Sequence, residues 1–492
     1  MTTSTSSTAV LDHHLWHGKL FNGDWINASG GLNPVQEPAT QETLTITGMA
    51  TAEDVLTAAT SAKLAQQQWV KMPPRERAAI FLRAADYLQQ HFDELSLFIA
   101  RETGGIIPKG QHEVREAITL LQLSSAMLLQ PNGLTLPSIP GRLSYAQRVP
   151  HGVVGVISPF NFPLILSLRS IAPALATGNA VVSKPDPQTP LSGGLIMALA
   201  FAHAGLPKGL YQVLPGGVEA GEALCNAPEI GMVAFTGSTA AGRKVGEACG
   251  RNLKKVALEL GGKSSLIILD DADLDLAASN VAWGAYMHQG QICMASGRIL
   301  VQENVAPALI ARIVEKAVHL PVGDPTTGQV ALGPLINHRQ LQRVHSIVQD
   351  SIAAGARLEA GGNYDGLFYS PTVLSNVTPG MRCFDEEIFG PVATIVTFQS
   401  DEEAVMLAND TEYGLAGAVI SADINRALTL GQQLHTGLLH INDQTVNDEC
   451  INPFGGCGNS GNGGGVGGPT DWDNYTHWQW VTIKGEPTRY PF

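Results

Sequence analysis

Two residues of this chain have the types and the spacing for covalent chemistry on a carbonyl group. Cys293 lies in a loop of mostly small residues, Gln289–Ala295, directly after a helical pattern that ends near Met287. Glu259 stands 34 residues earlier, where the apolar run Val256–Leu258 meets two glycines. A thiol that attacks a carbonyl carbon needs a base, because an unperturbed cysteine is mostly protonated near neutral pH. The pair predicts oxidation of a carbonyl through a thiohemiacetal, with Cys293 as nucleophile and Glu259 as general base. For Glu259 alone, a strand-end salt bridge is the alternative.

An asparagine between two aromatic residues is the third catalytic candidate. Asn161 lies in the segment Pro159–Pro163, at the end of the apolar strand-like run Gly152–Ser158. Its side-chain amide, together with the backbone N–H of Cys293, could stabilise a developing alkoxide. An asparagine that satisfies the backbone of its own turn is the alternative.

A glycine-containing turn is the candidate dinucleotide contact. Gly237, Ser238 and Gly242 follow the strand-like run Met232–Phe235 and open a helical segment. Backbone N–H groups at such a helix start could bind a pyrophosphate, and Ser238 could donate to it as well. The glycines do not form G-x-G-x-x-G, so the assignment depends on their place within an α/β unit.

Composition and charge narrow the class of protein. A chain of 492 residues is expected to form two or three lobes, and 44% hydrophobic with 15% charged residues is typical of a well-buried globular protein. The net charge of −14 argues against a nucleic-acid partner. Neither a signal-peptide pattern nor an apolar run long enough for a membrane span is found, which predicts a cytoplasmic protein without membrane association. Six cysteines without metal-type spacing predict reduced thiols and no metal site.

The elements that must position these residues alternate between strands and helices. Such alternation predicts an α/β fold with two doubly wound, Rossmann-type lobes and parallel sheets. We expect residues 1–20 to form an extension, and helices over 51–66, 74–103 and 110–129. The predicted domains are a dinucleotide-binding domain over 1–135 and 152–260, a catalytic domain over 261–468, and oligomerisation strands in 136–151 and 469–492.

The oligomerisation strands are inferred from two strand-like segments that fit neither lobe. These are Leu143–Pro150 and Tyr475–Ile483. Exposed edge strands invite pairing, so both could assemble a homodimer or homotetramer, with a local hairpin as the alternative.

Together, the Cys293 loop, the segment Glu259–Lys263 and Pro159–Pro163 resemble the NAD(P)-dependent aldehyde dehydrogenase superfamily over essentially the whole chain. The resemblance implies NAD as cofactor, with Lys184 on the adenosine ribose and Glu387 and Phe389 on the nicotinamide side. The cofactor contacts that it implies are Ser158, Phe160, Lys184, Pro187, Gly237, Ser238, Gly242, Leu260, Glu387 and Phe389.

Two departures from the family pattern bear on the chemistry. Pro187 stands where NAD-preferring members usually carry a glutamate that repels a 2′-phosphate, so NADP use becomes plausible. Ser170 and Gly465 replace a lysine and a glutamate that form a proton relay in many members. Glu259 is therefore expected to work with water alone.

The resemblance extends to the benzaldehyde dehydrogenase group through His288–Ala295, His440–Gln444 and Gly464–Pro469. It implies oxidation of an aromatic aldehyde to the carboxylic acid, in an apolar tunnel suited to a flat ring. Arg169 is expected in a structural ion pair rather than on the substrate. A CoA-acylating enzyme, a broad aliphatic aldehyde dehydrogenase and a thiol esterase without nicotinamide chemistry remain alternatives. The implied tunnel residues are Phe162, Leu166, Met287, Ile292, Met294 and Phe454.

Overall fold

A computed structural model describes residues 14–492, so the first part of the expected N-terminal extension lies outside the described residues. Up to Glu259 the strands are β1 (Lys19–Phe21), β2 (Trp25–Asn27), β3 (Leu32–Gln36), β4 (Thr43–Gly48), β5 (Gly133–Thr135), β6 (Arg142–Pro150), β7 (Val153–Ile157), β8 (Ala180–Lys184), β9 (Tyr211–Val213), β10 (Ile230–Thr236) and β11 (Lys255–Glu259). The helices of the same region are α1 (Ala52–Trp69), α2 (Pro74–Gln90), α3 (Phe92–Thr103), α4 (Ile107–Met127), α5 (Pro163–Ala176), α6 (Ile196–Ala204), α7 (Val218–Asn226) and α8 (Thr239–Arg251).

After Glu259 the same two kinds of element continue. The strands are β12 (Ser264–Ile268), β13 (Ser296–Gln302), β14 (Arg357–Ala360), β15 (Tyr364–Asp365), β16 (Phe368–Tyr369), β17 (Thr372–Ser375), β18 (Val392–Phe398), β19 (Tyr413–Gly414), β20 (Ala416–Ile420), β21 (Leu438–Ile441), β22 (Cys457–Gly458) and β23 (Thr476–Lys484). The helices are α9 (Leu274–Tyr286), α10 (Ala306–His319), α11 (His338–Ala353), α12 (Arg382–Asp385), α13 (Asp401–Asn409), α14 (Ile424–Gly431) and α15 (Thr470–Tyr475).

The first large sheet has the strand order β11-β10-β7-β8-β9-β1-β2. Strands β7 to β11 run parallel, whereas β1 and β2 add an antiparallel edge. The residues of β7 and β8 are all buried, because helices cover both faces of the sheet. The chain leaves β7 toward β8 and β9 and then returns to the other side of β7 as β10. Ligands of open α/β sheets bind at such a reversal, outside the carboxyl ends of the strands.

The second large sheet has the strand order β14-β17-β18-β13-β12-β20-β21 and is parallel except at β14. Only four residues, Leu260–Lys263, connect β11 of the first sheet to β12 of the second. The carboxyl end of β11 therefore meets the amino end of β12, and the loop that carries Cys293 enters β13 beside it. A Cβ atom on Gly262 would lie 2.4 Å from the carbonyl oxygen of Cys293, so the linker presses directly on this loop.

A small third sheet joins β23, β6 and β5. β6 forms the local antiparallel pair with β5, and it also pairs with β23 from Thr476 opposite Pro150 to Lys484 opposite Arg142. The two segments singled out in the sequence therefore pair with each other. Their sheet leaves Trp480 and Leu143 exposed.

The single helix expected over 74–103 is wrong, because the chain turns at His91 into two helices. His91 has φ −111° and ψ 19°, and its ring packs on Tyr87 at 4.7 Å. The turn lets α2 pack against α4 and α6 while α3 packs against α4. No glycine or proline marks the break, so the apolar pattern continues through it.

Within residues 14–492, the helices include none that is long and apolar enough to cross a membrane. In the same range, no three His, Cys, Asp or Glu side chains are grouped closely enough to hold a metal ion.

Candidate active site

The loop before Cys293 has an unusual backbone. His288, Gln289 and Gly290 follow one another with φ values of 46°, 55° and 67°. At Gly290 a Cβ atom would lie 2.1 Å from the carbonyl oxygen of Gly390, so only glycine fits. Side-chain amides hold the loop in place: Gln289 donates to the carbonyl of Gly104 at 2.8 Å. Left-handed non-glycine residues persist where the surroundings enforce them, and they concentrate at functional sites.

The thiol of Cys293 is not activated by its surroundings. Burial raises the pKa of Cys293 to about 12, and the carboxylates of Glu387 and Glu259 add to the effect. The Met294 backbone opposes it through a hydrogen bond to the thiol. The thiol therefore stays protonated near neutral pH and needs a base when it reacts.

Glu259 ends strand β11, where its side chain is buried at the junction of the two large sheets. Burial raises the pKa of Glu259 to about 8, opposed by the charge of Arg169 and reinforced by that of Asp448. Among the described residues its Oε2 atom has no hydrogen-bond partner, so the alternative of a strand-end salt bridge is not what the structure shows. A buried carboxyl group that is unpaired and titrates near neutral pH is suited to general acid–base chemistry.

Asn161 reaches the Cys293 loop from the carboxyl end of β7. Its Nδ2 atom donates to the backbone carbonyl of Gln291 at 2.9 Å, and the residue is buried. A primary amide carries two N–H groups, so the second remains available for another acceptor. The alternative, an asparagine that satisfies only its own turn, does not match this long-range contact.

The glycine turn after β10 lies at the reversal point of the first sheet. Gly242 lies against Leu260, since a Cβ atom there would come within 2.3 Å of the leucine side chain. Ser238 begins α8, and its Oγ atom accepts from the backbone N–H of Ala241 at 3.3 Å. Its hydroxyl hydrogen stays free to donate. At Gly237 a Cβ atom would lie 2.7 Å from the ring of Phe235, which keeps the turn close to the sheet.

The other implied cofactor residues continue along the same edge of the sheet. Ser158 follows β7, and its buried Oγ atom has no partner among the described residues. Lys184 ends β8 and donates to the carbonyls of Pro185 at 3.2 Å and Gly216 at 3.0 Å. It is buried rather than solvated. Pro187 lies just beyond, where its carbonyl accepts from Asn33 at 2.7 Å.

Glu387 and Phe389 approach from the second lobe. Glu387 accepts from the backbone N–H of Gly262 at 3.0 Å, and burial raises its pKa to about 7. It thus lies inside the junction, unlike Glu386, which pairs with Arg382 outside. Phe389 contacts Phe160 edge to face, with ring centroids 5.9 Å apart. The two predicted aromatic contacts, one from each lobe, therefore meet.

The walls beside Cys293 form a separate apolar cluster. Five of the six predicted tunnel residues belong to it or pack on it, whereas Leu166 lies half-buried on α5 outside it. The sequence interpretation missed Leu415 and Val466. Leu415 lies directly before β20, and Val466 lies in the glycine-rich C-terminal segment. Neither segment has a sequence pattern that predicts a place in the tunnel wall. The full set is Phe162, Met287, Ile292, Cys293, Met294, Ala295, Leu415, Ala416, Leu438, Val446, Phe454 and Val466.

An ion pair anchors the loop that runs past this cluster. Arg169 of α5 is buried and donates to both carboxylate oxygens of Asp448, at 2.5 and 2.8 Å. Its guanidinium also lies over the ring of Phe454, 5.0 Å from the centroid. This is the structural ion pair expected for Arg169, and it also positions the Phe454 ring of the cluster.

Comparison with known proteins agrees with this arrangement. The model of the aldehyde dehydrogenase family matches residues 25–481. The chain belongs to the aldehyde dehydrogenase family. The predicted α/β fold and enzyme class are thereby confirmed.

Individual relatives of this aldehyde dehydrogenase family member cover nearly its whole length. A vanillin dehydrogenase of Amycolatopsis sp. is 49% identical over 485 residues, 98% of this chain and 100% of the relative. A benzaldehyde dehydrogenase [NAD(+)] of Pseudomonas putida is 48% identical, over 97% of this chain and 98% of the relative. The crystal structure of betaine aldehyde dehydrogenase from Staphylococcus aureus in complex with NAD+ is 30% identical, with a TM-score of 0.94 and 97% of each chain covered.

Proposed function

We propose that this protein oxidises an aromatic aldehyde to the carboxylic acid, with NAD as the oxidant. The observation that carries the proposal is the position of Glu259. Its buried Oε2 atom has no hydrogen-bond partner among the described residues, and it meets the Cys293 loop beside an apolar cluster. Two relatives that are named for vanillin and benzaldehyde, both aromatic aldehydes, support the substrate class.

In this mechanism Cys293 attacks the aldehyde carbon while Glu259 takes the thiol proton, directly or through water. The carbonyl oxygen becomes an alkoxide, which the backbone N–H of Cys293 and the second N–H of Asn161 stabilise. Loss of a hydride from the same carbon leaves a thioester on Cys293. Glu259 releases the thiol proton to solvent and then takes a proton from a water molecule that attacks the thioester. The tetrahedral adduct collapses to the carboxylic acid and a thiolate, and Glu259 returns its proton to the thiolate of Cys293.

The residues at the reversal point of the first sheet fit a dinucleotide. The turn Gly237–Gly242 has no room for Cβ atoms at its glycines, which brings backbone N–H groups to the place where a pyrophosphate would bind. Ser158 offers a buried hydroxyl that has no partner within residues 14–492, and Glu387 and Phe389 stand opposite from the second lobe. Bound NAD would accept the hydride. With Pro187 in place of an acidic residue, NADP is a second substrate in this proposal.

The aromatic preference is supported by the chemistry of the walls. Phe162 and Phe454 offer ring faces, while Met287 and Met294 offer polarisable sulfur, and both contacts suit a flat aromatic ring. Two buried cations lie over rings of the cluster, Arg169 over Phe454 and Lys109 over Phe162, and both are already engaged, by Asp448 and by Glu113. A substrate carboxylate would therefore lack a dedicated partner there, which favours an uncharged aldehyde.

The same geometry supports the proposed domain assignment. In this proposal residues up to 135 and 152–260 bind the dinucleotide, and residues 261–468 carry the thiol. The strands within 136–151 and 469–492 assemble a homodimer or homotetramer through the exposed side of the third sheet. All six cysteines are free, which suits the reducing cytoplasm.

Initial rates with benzaldehyde test the proposal. Cofactor reduction is followed by absorbance with NAD or NADP at matched concentrations, with and without CoA, and the product is identified by chromatography. We expect CoA-independent reduction of NAD and release of benzoate. Activity only with a straight-chain aldehyde such as hexanal would refute the aromatic preference. Strict dependence on CoA would refute hydrolysis by Glu259.

A further inference from the structure

A buried ion pair lies directly behind the candidate oxyanion residue, and the mechanism above makes no use of it. Lys109 and Glu113 stand one turn apart on α4, with Nζ and Oε1 2.5 Å apart. Their side chains are only 2% and 0% exposed. Taking two charges out of water is costly, and replacing such a pair by apolar residues often costs nothing in stability. Stability alone is therefore a weak reason for this pair.

Glu113 uses its second oxygen to hold the start of α5. Its Oε2 atom accepts from the backbone N–H groups of Leu164 at 2.9 Å and Ile165 at 3.3 Å. These groups belong to the first turn of α5, where N–H groups have no partner within the helix and a negative charge is favoured. Since α5 begins at Pro163, this contact fixes the backbone immediately after Asn161 and Phe162.

Lys109 acts on the same segment from its side-chain face. Its Nζ atom lies over the ring of Phe162, 4.7 Å from the centroid, and donates to Thr103 at 3.2 Å. A desolvated cation over an aromatic ring is attracted to it, which restricts the orientation of the ring. The ring so restricted also packs on the apolar cluster that contains Cys293.

His288 completes the contact from the Cys293 loop. Its ring meets Phe162 edge to face at 5.2 Å and lies beside the backbone of Asn161. The residue is buried and held in the left-handed conformation described above. Elements distant in sequence, α4, the start of α5 and the Cys293 loop, thus converge on Asn161 and Phe162.

We propose that Lys109 and Glu113 are positioning residues, which hold Asn161 and Phe162 in register with Cys293 through the start of α5. This inference rests on the proposed function, because it assigns the pair a part in placing the oxyanion donor. Removing either partner lets the Asn161 segment shift against the Cys293 loop. A displacement of about 1 Å at a reacting group can reduce a rate by about 100-fold, so the effect should appear in the acylation of Cys293.

The test uses Glu113→Gln and Lys109→Met in the full-length enzyme. Acylation is read from the burst of 4-nitrophenolate that 4-nitrophenyl acetate releases when it acylates the thiol, a reaction that needs no cofactor. The burst amplitude counts the folded sites, so the burst rate constant is independent of how much protein is folded. We expect this rate constant to fall by about 10- to 100-fold in both variants. The KM for NAD should stay at the level of the unmodified enzyme.

Glu37→Gln is the matched control, because it removes an equally buried carboxylate whose bonds go to Arg101 of α3 rather than to α5. We expect a lower melting temperature but a burst rate constant within about twofold of the unmodified enzyme, since the oxyanion segment is untouched. Burst rate constants within twofold for Lys109→Met and Glu113→Gln would overturn the inference. If Glu113→Gln does not fold, Lys109→Met gives the same decision. Failure of the unmodified enzyme to reduce NAD with benzaldehyde would contradict the proposed function, and the burst would still decide the role of the pair.

Discussion

At the scale of single residues, burial favours the neutral forms of the two groups proposed to react, Cys293 and Glu259. The pKa of Cys293 is raised to about 12 and that of Glu259 to about 8, in both cases mainly by burial. Glu259 is thus the stronger acid of the two, so proton transfer from the resting thiol to Glu259 is unfavourable. The transfer becomes favourable only as the sulfur forms its bond to the substrate carbon. In the proposed mechanism, stabilisation of the alkoxide by Asn161 offsets the unfavourable deprotonation of the thiol.

Replacing Cys293 by alanine should remove the nucleophile without disturbing the dinucleotide turn. We expect kcat with benzaldehyde and NAD to fall by about 1,000-fold or more. Binding of NAD, measured by quenching of protein fluorescence, should be unchanged. Substantial dehydrogenase activity in Cys293→Ala would exclude this thiol as the nucleophile.

The pH dependence of kcat should follow the ionisation of Glu259. A base works in its deprotonated form, so a raised pKa means that the active form becomes the majority only above about pH 8. We expect kcat to rise between pH 6 and 9 with an apparent pKa near 8. In Glu259→Gln this rise should disappear and turnover should fall by about 100-fold, while some first hydride transfer is retained at a reduced rate. An unchanged pH profile in the variant would show that another group is the base.

Pro187 should influence the choice between NAD and NADP. A carboxylate at this position would repel a 2′-phosphate, so Pro187→Glu should raise the NAD-to-NADP ratio of kcat/KM by about tenfold or more. Pro187→Gln is the control, because it removes the proline without adding charge. Equal ratios in the two variants would show that charge at this position does not discriminate.

At the scale of elements, the site depends on loops that rigid elements hold in place. The Cys293 loop is clamped by glutamine side chains, and the loop around Asp448 is tied to α5 by Arg169. The same arginine lies over Phe454. One ion pair therefore positions both a loop and an aromatic wall.

Arg169→Met should loosen this wall. The variant leaves Asp448 without its partner and removes the cation from the face of Phe454. We expect the KM for benzaldehyde to rise by about tenfold, with a smaller change in kcat, because ring binding is impaired more than the chemistry. Arg243→Met, which breaks the exposed pair with Glu412, is the control and should leave both constants unchanged. An unaltered KM in Arg169→Met would exclude a role in shaping the pocket.

At the scale of the whole molecule, the end of edge strand β11 of the first sheet meets the start of inner strand β12 of the second, and β23, β6 and β5 form a separate third sheet. Glu259 ends the first sheet, and the Cys293 loop enters the second, so the candidate active site exists only where the lobes meet. The third sheet presents Trp478, Trp480 and Ile483 to solvent within one strand. An exposed apolar strand of this kind favours association with another chain.

Trp480→Glu should weaken that association. Trp480 is 66% exposed on β23, and a charge there would have to be desolvated in an interface. We expect sedimentation velocity to show a shift toward monomer at micromolar concentrations. Leu253→Glu changes an even more exposed apolar residue of the first lobe, 94% exposed, and should leave the distribution unchanged. An unchanged distribution in Trp480→Glu would place the interface elsewhere.

The sequence by itself determined the local chemistry and the alternation of elements. Cys293, Glu259 and Asn161 could be proposed as catalytic residues because each stands at the end of a strand or helix pattern that a few neighbouring residues define. The buried strands of both sheets are continuous apolar runs, so the α/β fold followed from the same local signals. The break between α2 and α3 at His91 was not predicted, because no glycine or proline marks it.

Only the tertiary structure decided which groups are paired and how they ionise. Arg169 meets Asp448 across 279 residues, and the Oε2 atom of Glu259 finds no hydrogen-bond partner in the described part of the chain, at a junction built by two sheets. Leu415 and Val466 join the apolar cluster around Cys293 from segments whose sequence pattern does not predict it. Burial, ion pairing and pKa depend on atoms brought together from distant parts of the chain, whereas sequence patterns report mainly on neighbours within a few residues.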